Sequence, residues 1–185
     1  MKKIFACLAI VAVAGLAVAA ELKSGPQAGD KLPGPFHPLN CNGESAGKKA
    51  CLVCKHGDSP VALVFARTAE CPMTAKLLKK LDEATVANKK AEMGSFCIFL
   101  TDDDKMPEKL KAMADKAGIK ELTVAVDNPT GPAKYNVEKD ADLTVVLYND
   151  RMVKCNWSFK KGEITDANID TIVKDISKIL PESKK

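Results

Sequence analysis

The sequence predicts an α/β domain of three layers, in which a central mixed β-sheet lies between layers of helices. Two continuous apolar runs, residues 61–66 and 96–100, are typical of strands buried on both faces. Each run is followed by apolar residues at helical spacing, and the C-terminal part contains a strand–turn–strand pattern. Strands that alternate with helices need right-handed crossovers and a largely parallel sheet, and the hairpin adds antiparallel strands at one edge.

The helices and the third strand follow in order along the chain. Pro72 fits the first turn of a helix, and a second helix is predicted to be capped within residues 102–104 and to end at Gly118. Residues 122–126 then form a third strand. A turn at residues 128–131 leads from it through a short segment with helical character. The apolar faces of the two helices are Leu77, Leu78, Leu81 and Ala84, and Leu110, Met113, Ala114 and Ala117.

The C-terminal part reads as a hairpin and a final helix. Residues 143–148 and 152–159 are predicted strands, joined by a two-residue turn at Asn149 and Asp150. Thr165 or Asp166 caps the last helix, which Pro181 stops. Its apolar face is Ile169, Ile172, Val173, Ile176 and Leu180.

The first twenty residues have the pattern of a secretory signal peptide. Lys2 and Lys3 precede an apolar run that ends in small residues. The run is shorter than the roughly 20 apolar residues of a spanning helix, so we expect cleavage and no stable membrane insertion afterwards. The protein is therefore predicted to be periplasmic or secreted. The remaining chain divides into a loop-rich, cysteine-containing segment, residues 21–60, and a folded domain, residues 61–181.

Charge argues against one class of partner. The formal net charge is +4, and loss of Lys2 and Lys3 with the signal leaves about +2. The lysines are dispersed along the chain rather than gathered into a basic stripe. We therefore expect no nucleic-acid partner.

Six of the seven cysteines follow the predicted signal, and they would meet an oxidising compartment where disulfides persist. They are Cys41, Cys51, Cys54, Cys71, Cys97 and Cys155. Six cysteines allow fifteen pairings, and the sequence leaves the choice open.

The element order, with a Cys-Pro dipeptide opening the helix after the first buried strand, resembles the thioredoxin superfamily, in particular its exported redoxin and peroxiredoxin-like branch. Residues 28–33 with Phe36 look like the G-D-x-x-P-x-F segment of that branch, residues 64–67 like the strand that delivers its active-site cysteine, and residues 135–137 like its Y-x-V element. The stretch 51–61 is also similar to uncharacterised exported thioredoxin-like bacterial proteins.

The chain departs from these families at three places. Residues 71–74 read Cys-Pro-Met-Thr where thioredoxins carry their CxxC pair. Residues 141–142 read Ala-Asp where thioredoxins have a cis-proline. Thr68 and Cys71 keep the T-x-x-C spacing of peroxiredoxins, but Val64 stands at that family's preceding proline.

Cys71 is the first candidate nucleophile. The N-terminus of a helix offers unpaired N–H groups and partial positive charge, which favour a thiolate over a thiol. Glu70 opposes this effect and Arg67 offsets it. The alternative is a structural half-cystine or an inert thiol.

Cys51 and Cys54 form the CxxC of this chain, and each sulfur can reach the other without large backbone movement. Lys55 and His56 are placed to stabilise a thiolate. The sequence does not distinguish a redox pair from a structural disulfide.

Metal binding is a further alternative, since Cys41, Cys51, Cys54 and either His56 or His37 could supply four tetrahedral zinc ligands. A single CxxC is weak support, so we expect no metal and no cofactor. Cys97 and Cys155 lie in apolar strand patterns and are expected to pack in the core. A bridge between them, or from either to Cys71, requires neighbouring strands.

These observations favour thiol–disulfide exchange with protein thiols or disulfides, small thiols or peroxide. In this scheme Cys71 attacks, and Cys51 or Cys54 resolves the product. The alternative is a non-catalytic binding or structural domain with its cysteines locked in disulfides or bound to zinc.

Overall fold

The computed structural model describes residues 22–181, and the predicted signal peptide lies outside them. This part of the chain forms six strands and four α-helices, with short 3₁₀ turns at Lys89–Ala91 and Ile176–Lys178. The strands are β1 (Leu39–Asn40), β2 (Val61–Ala66), β3 (Gly94–Leu100), β4 (Thr123–Asp127), β5 (Leu143–Asn149) and β6 (Met152–Phe159). The helices are α1 (Leu52–His56), α2 (Pro72–Ala87), α3 (Met106–Ala117) and α4 (Asp166–Asp175). No helix in the described range is long and apolar enough to cross a membrane.

All six strands belong to one mixed sheet in the order β1-β4-β3-β2-β5-β6. The three strands β2, β3 and β4 run parallel, and β5 and β6 add antiparallel strands beside β2. This confirms the predicted α/β sandwich with a parallel centre and an antiparallel hairpin at one side. It also places β2, which precedes Cys71, near the middle of the sheet.

The sheet has two differently covered faces. Alternate side chains of β2 belong to two separate cores. Ala62, Val64 and Ala66 belong to one, and Val61, Leu63 and Phe65 belong to the other. We call these face one and face two. Helices α2, α3 and α4 pack on face one, whereas α1, the N-terminal segment and the connection between β4 and β5 cover face two. Within residues 22–181, the helical layer on face two is thus a single short helix.

The N-terminal segment is bound closely to the sheet. The Asn156 side-chain amide donates to the carbonyls of Ser24 and Pro26, both at 2.8 Å. Lys31 forms an isolated antiparallel β-bridge with Met152. Phe36 then packs against aromatic rings of face two. Besides its turns, the segment that the sequence describes as loop-rich contributes β1 and α1.

Aromatic packing joins the segments that carry the G-D-x-x-P-x-F and Y-x-V resemblances. The ring of Phe36 lies 5.0 Å from that of Tyr135, edge to face, and both contact Phe65 on β2. The Tyr135 hydroxyl donates to the Gly34 carbonyl at 2.6 Å. These contacts fix the chain that crosses face two between β4 and β5.

Two predicted element ends were wrong by one or more residues. The hairpin turn consists of Asp150 and Arg151, which both adopt positive φ, because Asn149 pairs with Met152 as the last step of the ladder. Helix α3 begins after Lys105 rather than at an aspartate cap. The Asp103 carboxylate instead accepts the Lys105 N–H at 2.9 Å, in the turn before the helix.

The remaining helix ends follow the expected chemistry. Thr165 caps α4 in a capping box with Asn168, and Gly118 ends α3 in the left-handed region. Helix α4 ends at Asp175 and passes into a 3₁₀ turn before Pro181. The segment after residue 131 forms turns, without the helix that the sequence suggested.

Candidate functional site

Cys51 and Cys54 are joined by a disulfide across the first turn of α1. Cys51 is the N-cap residue, in extended conformation, and its Cα lies 5.3 Å from that of Cys54. The Cys51 Sγ accepts the backbone N–H of Cys54 at 3.1 Å. A CxxC spacing allows this disulfide at the start of a helix, because an N-cap side chain faces the first helical turn, where the second cysteine lies.

The disulfide is held at the surface by the residues between its two cysteines. Leu52 and Val53 are 3% and 1% exposed and belong to the core of face two. Cys51 is half-buried against the same core, whereas Cys54 is exposed. Two anchored residues between the sulfurs therefore fix a disulfide that solvent reaches from the Cys54 side.

His56 ends α1 and lies over the beginning of β3. Its ring stacks on Phe96, with centroids 5.9 Å apart and planes 6° from parallel, and it occupies the space where a side chain of Gly94 would stand. Burial, followed by the charge of Lys55, lowers the pKa of His56 to about 4. His56 is therefore neutral near pH 7 and adds no positive charge beside the Cys51–Cys54 pair at that pH.

The low pKa of His56 gives stability a definite pH dependence. The unfolded chain takes up a proton near the ordinary value of 6.5 and the folded chain only near 4, so the contribution is present above pH 6.5 and is lost as the pH falls toward 4. Between pH 7 and pH 4.5 we expect His56 to account for about 2 kcal/mol of lost stability, after allowance for its partial exposure.

Urea denaturation of His56→Gln at the two pH values tests this, since the variant should lose about 2 kcal/mol less than the parent. The matched control is His37→Gln, because His37 is exposed. This control should keep the parental pH dependence. An unchanged pH dependence in His56→Gln would contradict the assignment.

Cys71 is the N-cap residue of α2, with Pro72 at the first helical position, as the sequence indicates. It is a half-buried free thiol, and its side chain makes no capping hydrogen bond. Three residues earlier, the Thr68 hydroxyl donates to the Asp142 carboxylate at 2.6 Å. Asp142 is thus hydrogen-bonded to the loop that precedes Cys71.

Arg67 is occupied in holding the connection that crosses face two. Its guanidinium donates to the carbonyls of Ala141 at 3.0 Å, Pro129 at 2.7 Å and Glu138 at 3.1 Å. These bonds direct its charge toward the loop carbonyls. The expected offset of Glu70 by Arg67 is therefore not its main interaction.

The structure does not gather the three predicted site cysteines into one cluster. The disulfide lies on α1, which covers face two, and Cys51 packs against that core. Cys71 begins α2, whose buried residues pack on face one. The pair and Cys71 therefore belong to helices that cover different faces of the sheet.

The other cysteines are buried free thiols in the core of face one. Burial raises the pKa of Cys41 to about 11, and it also raises those of Cys97 and Cys155. Strands β2 and β5 lie between β3, which carries Cys97, and β6, which carries Cys155. The alternative bridge between these two is therefore wrong, and their core role is as expected.

The proposed zinc donors are divided between the two faces. Cys41 packs on face one, while Cys51 packs on face two and is already bonded to Cys54. Among residues 22–181, no group of three or more His, Cys, Asp or Glu side chains is arranged to hold a metal ion. The geometry does not fit the four-ligand alternative.

Sequence reasoning missed two features around this site. One is the helix that carries the CxxC pair, because five residues are too few to show a helical period. The other is the contact of His56 with Gly94, which joins residues far apart in the chain. A lone glycine at the start of an apolar strand was the available signal, since it marks a close approach of another group.

Solved structures with the same arrangement decide the fold. A protein from Bacteroides thetaiotaomicron assigned as a protein disulfide isomerase matches 86% of this chain over 94% of its own, with a TM-score of 0.65 and 17% identity. This chain has the thioredoxin fold. The predicted recognition of a thioredoxin-like protein is thereby confirmed at the level of the fold.

Two further thioredoxin-fold structures show similar agreement. A Chlorobium tepidum protein assigned as thiol:disulfide interchange protein DsbE has a TM-score of 0.61 and 21% identity, covering 87% of this chain and 100% of its own. Peroxidoxin BcpB of Mycobacterium tuberculosis has a TM-score of 0.60 and 16% identity, covering 84% and 99%. No protein-family model and no curated protein matches the sequence. The shared thioredoxin fold leaves the activity to be argued from the residues.

Proposed function

We propose that this protein is an exported thiol–disulfide exchange protein whose redox unit is the Cys51–Cys54 pair. The observation that carries the proposal is a disulfide open to solvent at Cys54 and held on a helix that two buried residues anchor. Because Leu52 and Val53 hold α1, the bond can open and close without rearranging the sheet. Export rests on the signal-like pattern of residues 1–20.

Positive charge near the pair supports the same function. Lys48, Lys49 and Lys55 are exposed and lie within three residues of one of the two cysteines. None of the three takes part in an ion pair within residues 22–181. Nearby cations favour thiolate over thiol, and the thiolate is the form that performs exchange. Protein thiols or disulfides and small thiols are the substrates that suit such a site.

The role of Cys71 in this proposal differs from the initial expectation. Attack by Cys71 with resolution by Cys51 or Cys54 requires the three sulfurs to meet, but the pair packs on face two and α2 on face one. We therefore place Cys71 outside the exchange unit. The Thr68 hydroxyl is engaged by Asp142, so the T-x-x-C spacing gives no added support for peroxide reduction.

A redox titration separates this function from a structural disulfide. Purified protein is equilibrated in glutathione buffers, its thiols are alkylated, and the state of Cys51 and Cys54 is read by peptide mapping. An exchange pair is expected between about −120 and −270 mV, whereas structural disulfides lie below about −300 mV. A pair that stays oxidised throughout the first range would overturn the proposal.

Cysteine variants assign the activity. The double variant Cys51→Ser/Cys54→Ser is expected to reduce insulin disulfides at the uncatalysed rate, because no pair is left to cycle. Cys71→Ser is the matched control and should stay within about twofold of the parent, since it removes a thiol outside the proposed exchange pair. Loss of activity in both Cys71→Ser and the double variant would restore the scheme in which Cys71 attacks and the pair resolves the product.

A further inference from the structure

The two sulfurs of the disulfide have different surroundings. Cys51 is half-buried, packs against the face-two core and accepts the Cys54 N–H at 3.1 Å through its Sγ. Cys54 is exposed, and the next residue, Lys55, is exposed as well. One sulfur is therefore supported by the fold, and the other faces solvent.

We propose that exchange is polarised, with an incoming thiolate attacking Sγ of Cys54 and Cys51 leaving as the thiolate. This assignment rests on the proposed function and adds the order of the two cysteines to it. Attack on a disulfide sulfur requires approach along the S–S axis, from the side away from the leaving sulfur. Cys54 is exposed, which favours this approach from solvent, whereas Cys51 is half-buried and packs against the core of face two, which disfavours it.

A hydrogen bond is also in place to stabilise the negative charge of Cys51 when it leaves as a thiolate. The N–H of Cys54 already points at Cys51 Sγ, and this hydrogen bond strengthens when the acceptor becomes an anion. A stabilised thiolate leaves faster in thiol–disulfide exchange. Access and leaving-group stability thus favour the same direction.

Oxidation of two substrate thiols by the disulfide takes two exchange steps. A substrate thiolate forms a bond to Cys54 Sγ while the Cys51–Cys54 bond breaks, which leaves a mixed disulfide on Cys54 and a thiolate on Cys51. A second substrate thiolate attacks the substrate sulfur of the mixed disulfide and releases Cys54 as a thiolate. Two electrons pass from two substrate thiolates to the protein, and the protons of the substrate thiols pass through solvent to Cys51 and Cys54.

The reverse reaction uses the same order. In the reduced protein, the Cys54 thiolate attacks a substrate disulfide and expels one substrate thiolate. Cys51 then attacks Cys54 Sγ, re-forms the protein disulfide and releases the second substrate thiolate. Cys54 is the catalytic residue that touches substrate, and Cys51 is the resolving thiol.

Single-cysteine variants of the pair test the order directly. Cys51→Ser and Cys54→Ser are each made with Cys71→Ser, so that the other remaining thiols, Cys41, Cys97 and Cys155, are buried ones. Serine is a good N-cap residue, which preserves the start of α1 in Cys51→Ser. Each folded variant is mixed with the aromatic disulfide DTNB, and formation of the protein adduct is followed by absorbance and intact mass.

The Cys51→Ser variant, which retains Cys54, should form the adduct at least tenfold faster than Cys54→Ser. Equal rates or the opposite order would overturn the proposed direction. A second measurement needs no variant at the pair: the reduced parental protein is treated with limiting iodoacetamide, and the labelled cysteine is mapped. Cys54 should be labelled before Cys51, and prior labelling of Cys51 would also overturn the order.

Failure of the proposed order can be distinguished from failure of the proposed function. If the parental disulfide exchanges in the glutathione titration but Cys51 reacts first, the function stands and the order is wrong. If the disulfide does not exchange in that titration, the function itself fails.

Discussion

Replacement of Asp82 by alanine is expected to lower the free energy of unfolding by about 3–5 kcal/mol. Asp82 lies on α2 and is 1% exposed. Its Oδ1 accepts three consecutive backbone N–H groups, from Lys120 at 3.0 Å, Glu121 at 2.8 Å and Leu122 at 2.9 Å. Alanine would leave these donors without the carboxylate that joins α2 to the loop before β4, which urea denaturation at pH 7 would measure.

Two further variants sharpen this test. Asp82→Asn keeps one oxygen acceptor but loses the charge, so about half of the alanine effect is expected. Glu83→Ala is the matched control from the next position of α2, where the carboxylate is exposed and pairs with Lys80 at 3.1 Å. It should change stability by about 0.5 kcal/mol or less. Equal effects at positions 82 and 83 would contradict the assigned role.

Replacement of Gly94 by alanine is expected to destabilise the protein by about 2–3 kcal/mol, since overpacking forces buried groups to move. The added methyl group would overlap the His56 ring, which is held against Phe96 and forms the last residue of α1. The ring cannot turn away without losing this stack. Thermal or urea denaturation of the oxidised protein would measure the change.

A double-mutant cycle isolates this contact. In a His56→Ala background the ring is absent. Adding Gly94→Ala there should lower the free energy of unfolding by at least about 1 kcal/mol less than it does in the parent. If the cost of Gly94→Ala is the same in both backgrounds, the ring is not what requires glycine at this position. The cost would then belong to the strand backbone of β3.

The elements that the sequence predicted correctly are those whose burial repeats along the chain. Residues 61–66 are apolar at every position because β2 is covered on both faces, and α2 shows its face-one residues at helical spacing. The capping box of Thr165 and Asn168 is equally local. Such patterns can be read from neighbouring residues in the chain, without knowledge of a distant partner.

The features that escaped prediction depend on distant partners. The sequence does not show what Asp82 binds, because the N–H groups that it accepts lie in a loop 38 or more residues away. The hairpin turn was displaced by one residue because strand pairing, rather than turn composition, set its register. Helix α1 is too short for a periodic signal, and its two apolar residues are buried only because face two is there to receive them.

The sequence by itself determined the layered α/β architecture, the parallel centre of the sheet and the identity of the cysteine pair able to bond locally. Only the tertiary structure decided that the Cys51–Cys54 disulfide lies on a helix against face two, whereas the helix that follows Cys71 packs on face one. The physical reason is that periodicity reports how deeply a residue is buried, whereas the face that a segment covers depends on the path of the whole chain over the sheet. Helix α1 joins face two and α2 joins face one, although only fifteen residues separate His56 from Pro72 in the chain.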